Sequence, residues 1–150
     1  MIVQNAMTKN VITVKPETSV SQAAKTMNEN RISGVVVVED ERVVGILTER
    51  DIISKIVSQG KDASSLRVGE IMSKPVKTIA PETDLEEAAT IMVRSKIKRL
   101  PVIENQKLAG ILTSADIVSF YIDADKIVWE SAIKNLAKVK MKIREIRETE

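Results

Sequence analysis

The sequence predicts an α/β protein of the α+β type, in which two β-α-β-β-α units pack about a pseudo-twofold axis and an amphipathic C-terminal helix follows. Three observations predict it. The chain duplicates itself internally, both copies repeat one order of strand and helix signals, and 43% hydrophobic against 29% charged residues is a globular composition. With 150 residues the chain can bury roughly 70% of its unfolded surface, so its core needs neither disulfide nor metal.

Displaced by 65 positions, Asn5–Val57 lies over Glu70–Ile122 without a gap, and 20 of the 53 pairs are identical. Pro16-Glu17-Thr18 repeats as Pro81-Glu82-Thr83, and Gly45-Ile46-Leu47-Thr48 as Gly110-Ile111-Leu112-Thr113. The chain therefore divides into a first unit at 1–58, a polar linker at 59–68, a second unit at 69–122 and an extension at 123–150.

Each unit opens on a short β-branched strand, Val11–Val14 or Val76–Ile79, closed by the turn at Pro16 or Pro81. A helix follows, because Val20, Ala23, Ala24 and Met27 recur at i, i+3, i+4, i+7, as do Leu85, Ala88, Ala89 and Met92. Thr18/Ser19 and Thr83/Asp84 are its N-cap candidates. Gly34–Val38 and Val43–Leu47, split by polar Glu39–Arg42, form a hairpin that repeats as Leu100–Ile103 and Leu108–Leu112. A second helix begins near Thr48 and near Thr113. A unit of this size leaves one sheet face bare and is marginal alone. Pairing the copies covers both faces and leaves two equivalent clefts at the seam.

What the chain lacks narrows its chemistry. Without cysteine or histidine there is no disulfide scaffold, no thiolate or imidazole metal site and no Ser-His-Asp machinery. Five scattered glycines make no phosphate-cradling loop. A net charge of +2 and three aromatic residues disfavour nucleic acid as a partner. No apolar run approaches the roughly 18 residues of a membrane span, and the first ten residues carry no secretion signal. The expectation is a cytoplasmic protein that is not an enzyme and holds no cofactor or metal.

Each hairpin ends in a tetrad, Thr48-Glu-Arg-Asp51 or Thr113-Ser-Ala-Asp116. A threonine leaving a strand to open a helix offers a hydroxyl and orphan amides to an anion, and an aspartate one turn later offers acceptors to ribose hydroxyls. The same Thr-x-x-Asp is also a capping box that needs no ligand. Spacing leaves both readings open.

The duplicated pattern resembles a tandem pair of CBS domains, the cystathionine β-synthase-type regulatory unit known as a Bateman module. The stretches that carry it are VITVKPETSVSQAAKTMNENRISGVVVVEDERVVGILTERDII and VKTIAPETDLEEAATIMVRSKIKRLPVIENQKLAGILTSADIV, and it covers nearly all of residues 5–122. The resemblance implies two β-α-β-β-α units with adenosine ligands in clefts between them. AMP, ADP and ATP are the ligands it implies first, with S-adenosylmethionine and NAD as family alternatives. It places phosphate beside Thr48 and Thr113, and ribose beside Asp51 and Asp116. It implies cleft walls at Val11, Ile12 and Thr13 with Ser33, Gly34 and Val35, and at Val76, Lys77 and Thr78 with Lys98, Arg99 and Leu100. Pro101 matches a family proline where the first copy has Val36. Lys98 and Arg99 match a basic pair that meets phosphate, whereas Ser33 and Gly34 carry no charge, so the Lys98/Arg99 cleft should favour the more anionic nucleotide. Arg50 either meets phosphate or lies on the helix surface.

In the extension, Trp129, Ala132, Leu136, Val139, Ile143 and Ile146 follow the 3-4 spacing of a narrow coiled-coil stripe. Such a stripe suits the chain's own surface, a homodimer seam or a partner. The resulting expectation is a ligand-sensing regulatory module whose partners are an adenine nucleotide, a second copy and an effector protein. A ligand-free structural or oligomerisation module and a nucleic-acid-binding protein are the alternatives.

Overall fold

The computed structural model describes residues 1–148; beyond residue 124 the described side chains are those of Lys126, Ile133, Lys134, Leu136, Ala137, Lys138 and Met141. The chain forms one unit over Met1–Ser114 and a second, helical unit from Ala115 onward.

The first unit contains α1 (Val3–Ala6), β1 (Thr13–Val14), α2 (Val20–Glu29), β2 (Gly34–Glu39), β3 (Arg42–Thr48), α3 (Glu49–Lys55), α4 (Val68–Ile71), α5 (Leu85–Ser95), β4 (Arg99–Glu104) and β5 (Lys107–Thr113). α2 starts where the Ser19 side chain accepts from the Gln22 amide, and α5 where Asp84 accepts from the Glu86 amide. Val20, Ala23 and Met27 of α2 are buried, as are Leu85, Ala88 and Met92 of α5, so the predicted apolar stripes are the core faces. Both hairpins turn through two residues at positive φ, Asp40-Glu41 and Asn105-Gln106, the twist that lets a two-residue loop match its strands. Both carry the same irregularity, at Val37/Val38 and at Val102/Ile103.

The opening strands differ between the copies. Thr13 and Val14 pair in parallel with Val36 and Val37, whereas the second copy makes a single bridge, Ile79 to Val102. The cause is Pro101. Ile79 receives its bond from Ile103 and donates to the Pro101 carbonyl, but the extra rung would need an amide at 101, and proline has none. The predicted strand Val76–Ile79 is therefore not a strand.

The lead segments of the copies cross over, which the repeat alone did not foretell. Residues 1–8 pack on the second copy: the Val3 amide donates to the Thr83 carbonyl, Gln4 to Pro81, and Thr8 and Ile111 exchange backbone bonds at 2.9 Å. Residues 66–73 do the same to the first copy, with Val68 donating to Thr18, Gly69 to Pro16, and Ser73 exchanging bonds with Ile46. Val68 and Ile71 accordingly belong to the core cluster of Val14, Val20, Val35, Val37, Leu47 and Ile56. Linker residues are tied down too, since the Val20 and Ser21 amides donate to Leu66 and Ala63. Gly45 and Gly110 make room for the crossing: a Cβ on Gly45 would strike Met72, and one on Gly110 would strike Met7 and the Thr8 carbonyl.

In the second unit α6 (Ser114–Glu148) runs from the second copy into the extension as one helix. The first copy's α3 stops after seven residues at its Ile56 cap, a single 3-10 turn over Val57–Gln59 follows, and Gly60 ends it in the left-handed region. No glycine or proline follows Thr113, so nothing in the sequence ends the equivalent helix. Leu136 of the predicted stripe is exposed, and the side chains of Trp129, Ala132, Val139, Ile143 and Ile146 lie outside the described residues. Among the described residues no helix is long and apolar enough to cross a membrane.

Candidate functional site

Crossing the copies brings the end of β3 and the start of α3 up against the second copy's segment 73–77 and its residues 95–99. Between them lies a cavity of about 600 Å³ whose walls include Ser33, Thr48, Asp51, Lys77, Lys98 and Arg99. Five cationic side chains line it (Arg50, Lys77, Lys96, Lys98 and Arg99) against two carboxylates, Glu49 and Asp51. Cations thus outnumber carboxylates in the lining, a balance that favours an anion electrostatically.

Asp51 is 6% exposed and fully partnered. Its Oδ2 accepts from the Thr48 amide at 3.0 Å and from Thr48 Oγ1 at 3.1 Å, while the Asp51 amide donates back to Thr48 Oγ1 at 3.2 Å. Its Oδ1 accepts from Ser73 Oγ at 2.8 Å and pairs with Lys55 Nζ at 2.9 Å. The capping box is thus present in full, with two further donors closing the other oxygen. Burial pushes the Asp51 carboxyl up, but the Lys55, Ser73 and Thr48 hydrogen bonds and the Lys55 charge outweigh it and lower its pKa. A carboxyl lowered on folding stabilises the native state above its unfolded pKa and loses that contribution as pH falls through the lowered value. Wild type should therefore lose its melting-temperature advantage over Asp51→Asn on titration from about pH 7 to about pH 3, whereas a constant gap would contradict the ion pair.

Arg99 reaches across the pseudo-axis. Its Nη2 donates to Ser33 Oγ at 2.6 Å, and its guanidinium covers Gly34, where a Cβ would lie 2.6 Å from Nη1. Burial lowers its pKa, opposed by the charges of Glu49 and Asp51, and it stays a cation because guanidinium titrates so high. Residues 34 and 99 are repeat equivalents, so an arginine on one copy is admitted by glycine on the other.

Val76 also lines the cavity, beside Lys77, whereas other predicted residues lie elsewhere. Val35, Leu100 and Pro101 are buried in their hairpins, Val11 and Ile12 are half-buried, and Thr13 and Thr78 are exposed; none of these lines the cavity at Asp51. Thr113 ends β5, and Asp116 stands in the first turn of α6. Two partners of Asp51, Lys55 and Ser73, lie outside the Thr-x-x-Asp motif. Lys55 was detectable as the i+4 cation on the same helix. Ser73 was not, because only the crossing of the lead segments brings it near. Among the described residues no acidic cluster could hold a metal ion.

Comparison with known proteins settles the family. The CBS-domain profile matches residues 3–58 and 68–123, which is most of the chain. The protein belongs to the CBS-domain family. As a CBS pair it is 34% identical over 115 residues to the CBS domain-containing protein YhcV of Bacillus subtilis, covering 77% of this chain and 81% of that one. It is 41% identical over 110 residues to the inosine-5'-monophosphate dehydrogenase of Korarchaeum cryptofilum, covering 73% of this chain and 22% of the enzyme. Among solved structures, the hexameric CBS-CP12 protein of bloom-forming cyanobacteria superposes with a TM-score of 0.71 at 36% identity, over 79% of this chain and 69% of that one. The chain also spans 57% of a relative from Methanopyrus kandleri, so longer relatives carry segments that this CBS pair does not match.

Proposed function

We propose that this CBS pair is a regulatory module that binds an adenosine nucleotide in the cleft at Thr48 and Asp51 and passes the binding state to another protein, not itself catalysing a reaction. The observation that carries the proposal is the charge of the cleft, five cations to two carboxylates, with the buried acceptor Asp51 at its inner wall. Polyphosphate suits the Lys77, Lys98 and Arg99 side, and a vicinal diol suits Asp51. AMP, ADP and ATP fit that division, while S-adenosylmethionine, a cation at sulfur, fits the charge poorly.

The test is thermal unfolding with AMP, ADP, ATP, S-adenosylmethionine and NAD. A bound nucleotide at 100 times its Kd should add about 2.7 kcal/mol, a rise of about 5–10 °C for a chain this size. If none of the five moves the midpoint, the second reading replaces this one: a structural module whose Asp51 is satisfied by its own chain. Within the ligand reading, the Lys98→Ala/Arg99→Ala double variant should weaken ATP by roughly tenfold more than AMP, measured by calorimetry, since each extra phosphate loses a charged partner. Equal losses would place the phosphates elsewhere. A second copy and an effector are proposed as the recipients; the hexamer formed by the CBS-CP12 protein supports assembly as an output.

A further inference from the structure

A carboxylate offers about four acceptor positions, and at Asp51 the protein uses all of them. Two go to Thr48 within the helix cap. The other two go to groups tied to the second copy's lead segment. Ser73 belongs to that segment, and Lys55 Nζ, besides meeting Asp51 Oδ1, donates to the Ile71 carbonyl at 2.7 Å at the end of α4. A hydroxyl arriving from the cleft finds no vacant acceptor on Oδ1.

Resting on the reading that ribose meets Asp51, we propose that Ser73 and Lys55 are an internal latch competing with the ligand's ribose hydroxyls for Oδ1, so that filling the cleft releases part of the second copy's hold on the first. The released groups fare unequally. Lys55 is 39% exposed and keeps the Ile71 carbonyl, so it turns to water at little cost. Ser73 loses a charge-assisted bond, worth more than a neutral one. Its backbone bonds to Ile46, at 2.8 and 3.0 Å, then hold that end of the strap without side-chain support and open more often. Binding energy is therefore diverted into loosening one crossed segment, which gives ligand a differential affinity for a loosened arrangement of the copies.

The test is calorimetry with AMP on wild type, Ser73→Ala and Lys55→Met, with 2',3'-dideoxy-AMP as the control. Ser73→Ala leaves the charge of the cleft unchanged, so AMP should bind it about 3- to 10-fold more tightly. The dideoxy compound, which cannot use Oδ1, should gain nothing. Lys55→Met should show the same direction for AMP with a smaller net gain, since it also removes a cation. AMP should also speed amide exchange of residues 71–73 in wild type. Unchanged or weaker AMP binding by Ser73→Ala, while wild type binds AMP, would overturn the latch and leave the cleft assignment standing. A gain shared equally by the dideoxy compound would overturn it too. AMP bound by none of the three proteins would overturn the latch together with the ribose assignment.

Discussion

Replacing Gly110 by valine is expected to destabilise the protein by about 3 kcal/mol, within the range for forced overpacking, and to lower the melting midpoint by roughly 6–12 °C. The Cβ would lie 2.7 Å from the Met7 sulfur and 2.9 Å from the Thr8 carbonyl oxygen. A methionine side chain can turn aside. The Thr8 carbonyl cannot, because it accepts from the Ile111 amide while the Thr8 amide donates to the Ile111 carbonyl. Moving it opens both bonds and lifts the N-terminal segment off the second copy. Gly45 is the internal control. There the nearest atoms all belong to Met72, so Gly45→Ala should cost less, and Met72→Ala should restore much of the loss. Met7→Ala should restore little in Gly110→Ala. Urea unfolding at constant slope reads both cycles. A Gly110→Val midpoint equal to wild type would mean that the crossing contributes nothing to stability.

The duplication was visible in the chain, and with it the element order, both hairpins and both apolar helix faces. Each of these is a local pattern, and copying it into two places doubles its signal. What the repeat concealed is non-local. Aligning residues 5–57 with 70–122 suggests that each copy folds on its own lead segment, yet residues 1–8 and 66–73 exchange places. Nothing in the spacing of Met7 or Met72 distinguishes packing at home from packing across the axis. The same blindness hid Ser73, 22 residues from Asp51 yet 2.8 Å from its carboxylate. Pro101 matches a cleft position of the family, while its larger physical effect is the missing amide that leaves the second copy one rung short. The end of the repeat at 122 is a different kind of boundary from the end of a helix: helices stop at capping residues, and 114–148 has no glycine or proline to stop α6, so it runs on past the repeat.

Asp51→Asn is expected to weaken AMP binding about 100-fold while leaving the protein folded. Asparagine retains an oxygen to receive the Thr48 amide, so the cap that starts α3 survives. What it loses is the charge. Two ribose hydroxyls that meet a carboxylate make charge-assisted bonds, and meeting a neutral amide weakens each by about 1.4 kcal/mol, a factor of ten apiece. Lys55 loses its ion pair as well, but at 39% exposure its ammonium can hydrate, so the stability cost should stay near 1 kcal/mol. Asp51→Leu makes the contrast: it strips the cap along with the charge, and should cost stability more heavily than Asp51→Asn. The sign relative to Ser73→Ala is the discriminating feature. Both changes disturb the same cluster of hydrogen bonds, so a purely structural role would move ligand affinity the same way in both. If Asp51 is the ribose acceptor and Ser73 its competitor, removing the acceptor weakens AMP while removing the competitor tightens it. Asp51→Asn binding AMP as well as wild type would remove ribose from this carboxylate, and leave the cations of the cleft to be explained by some other anion.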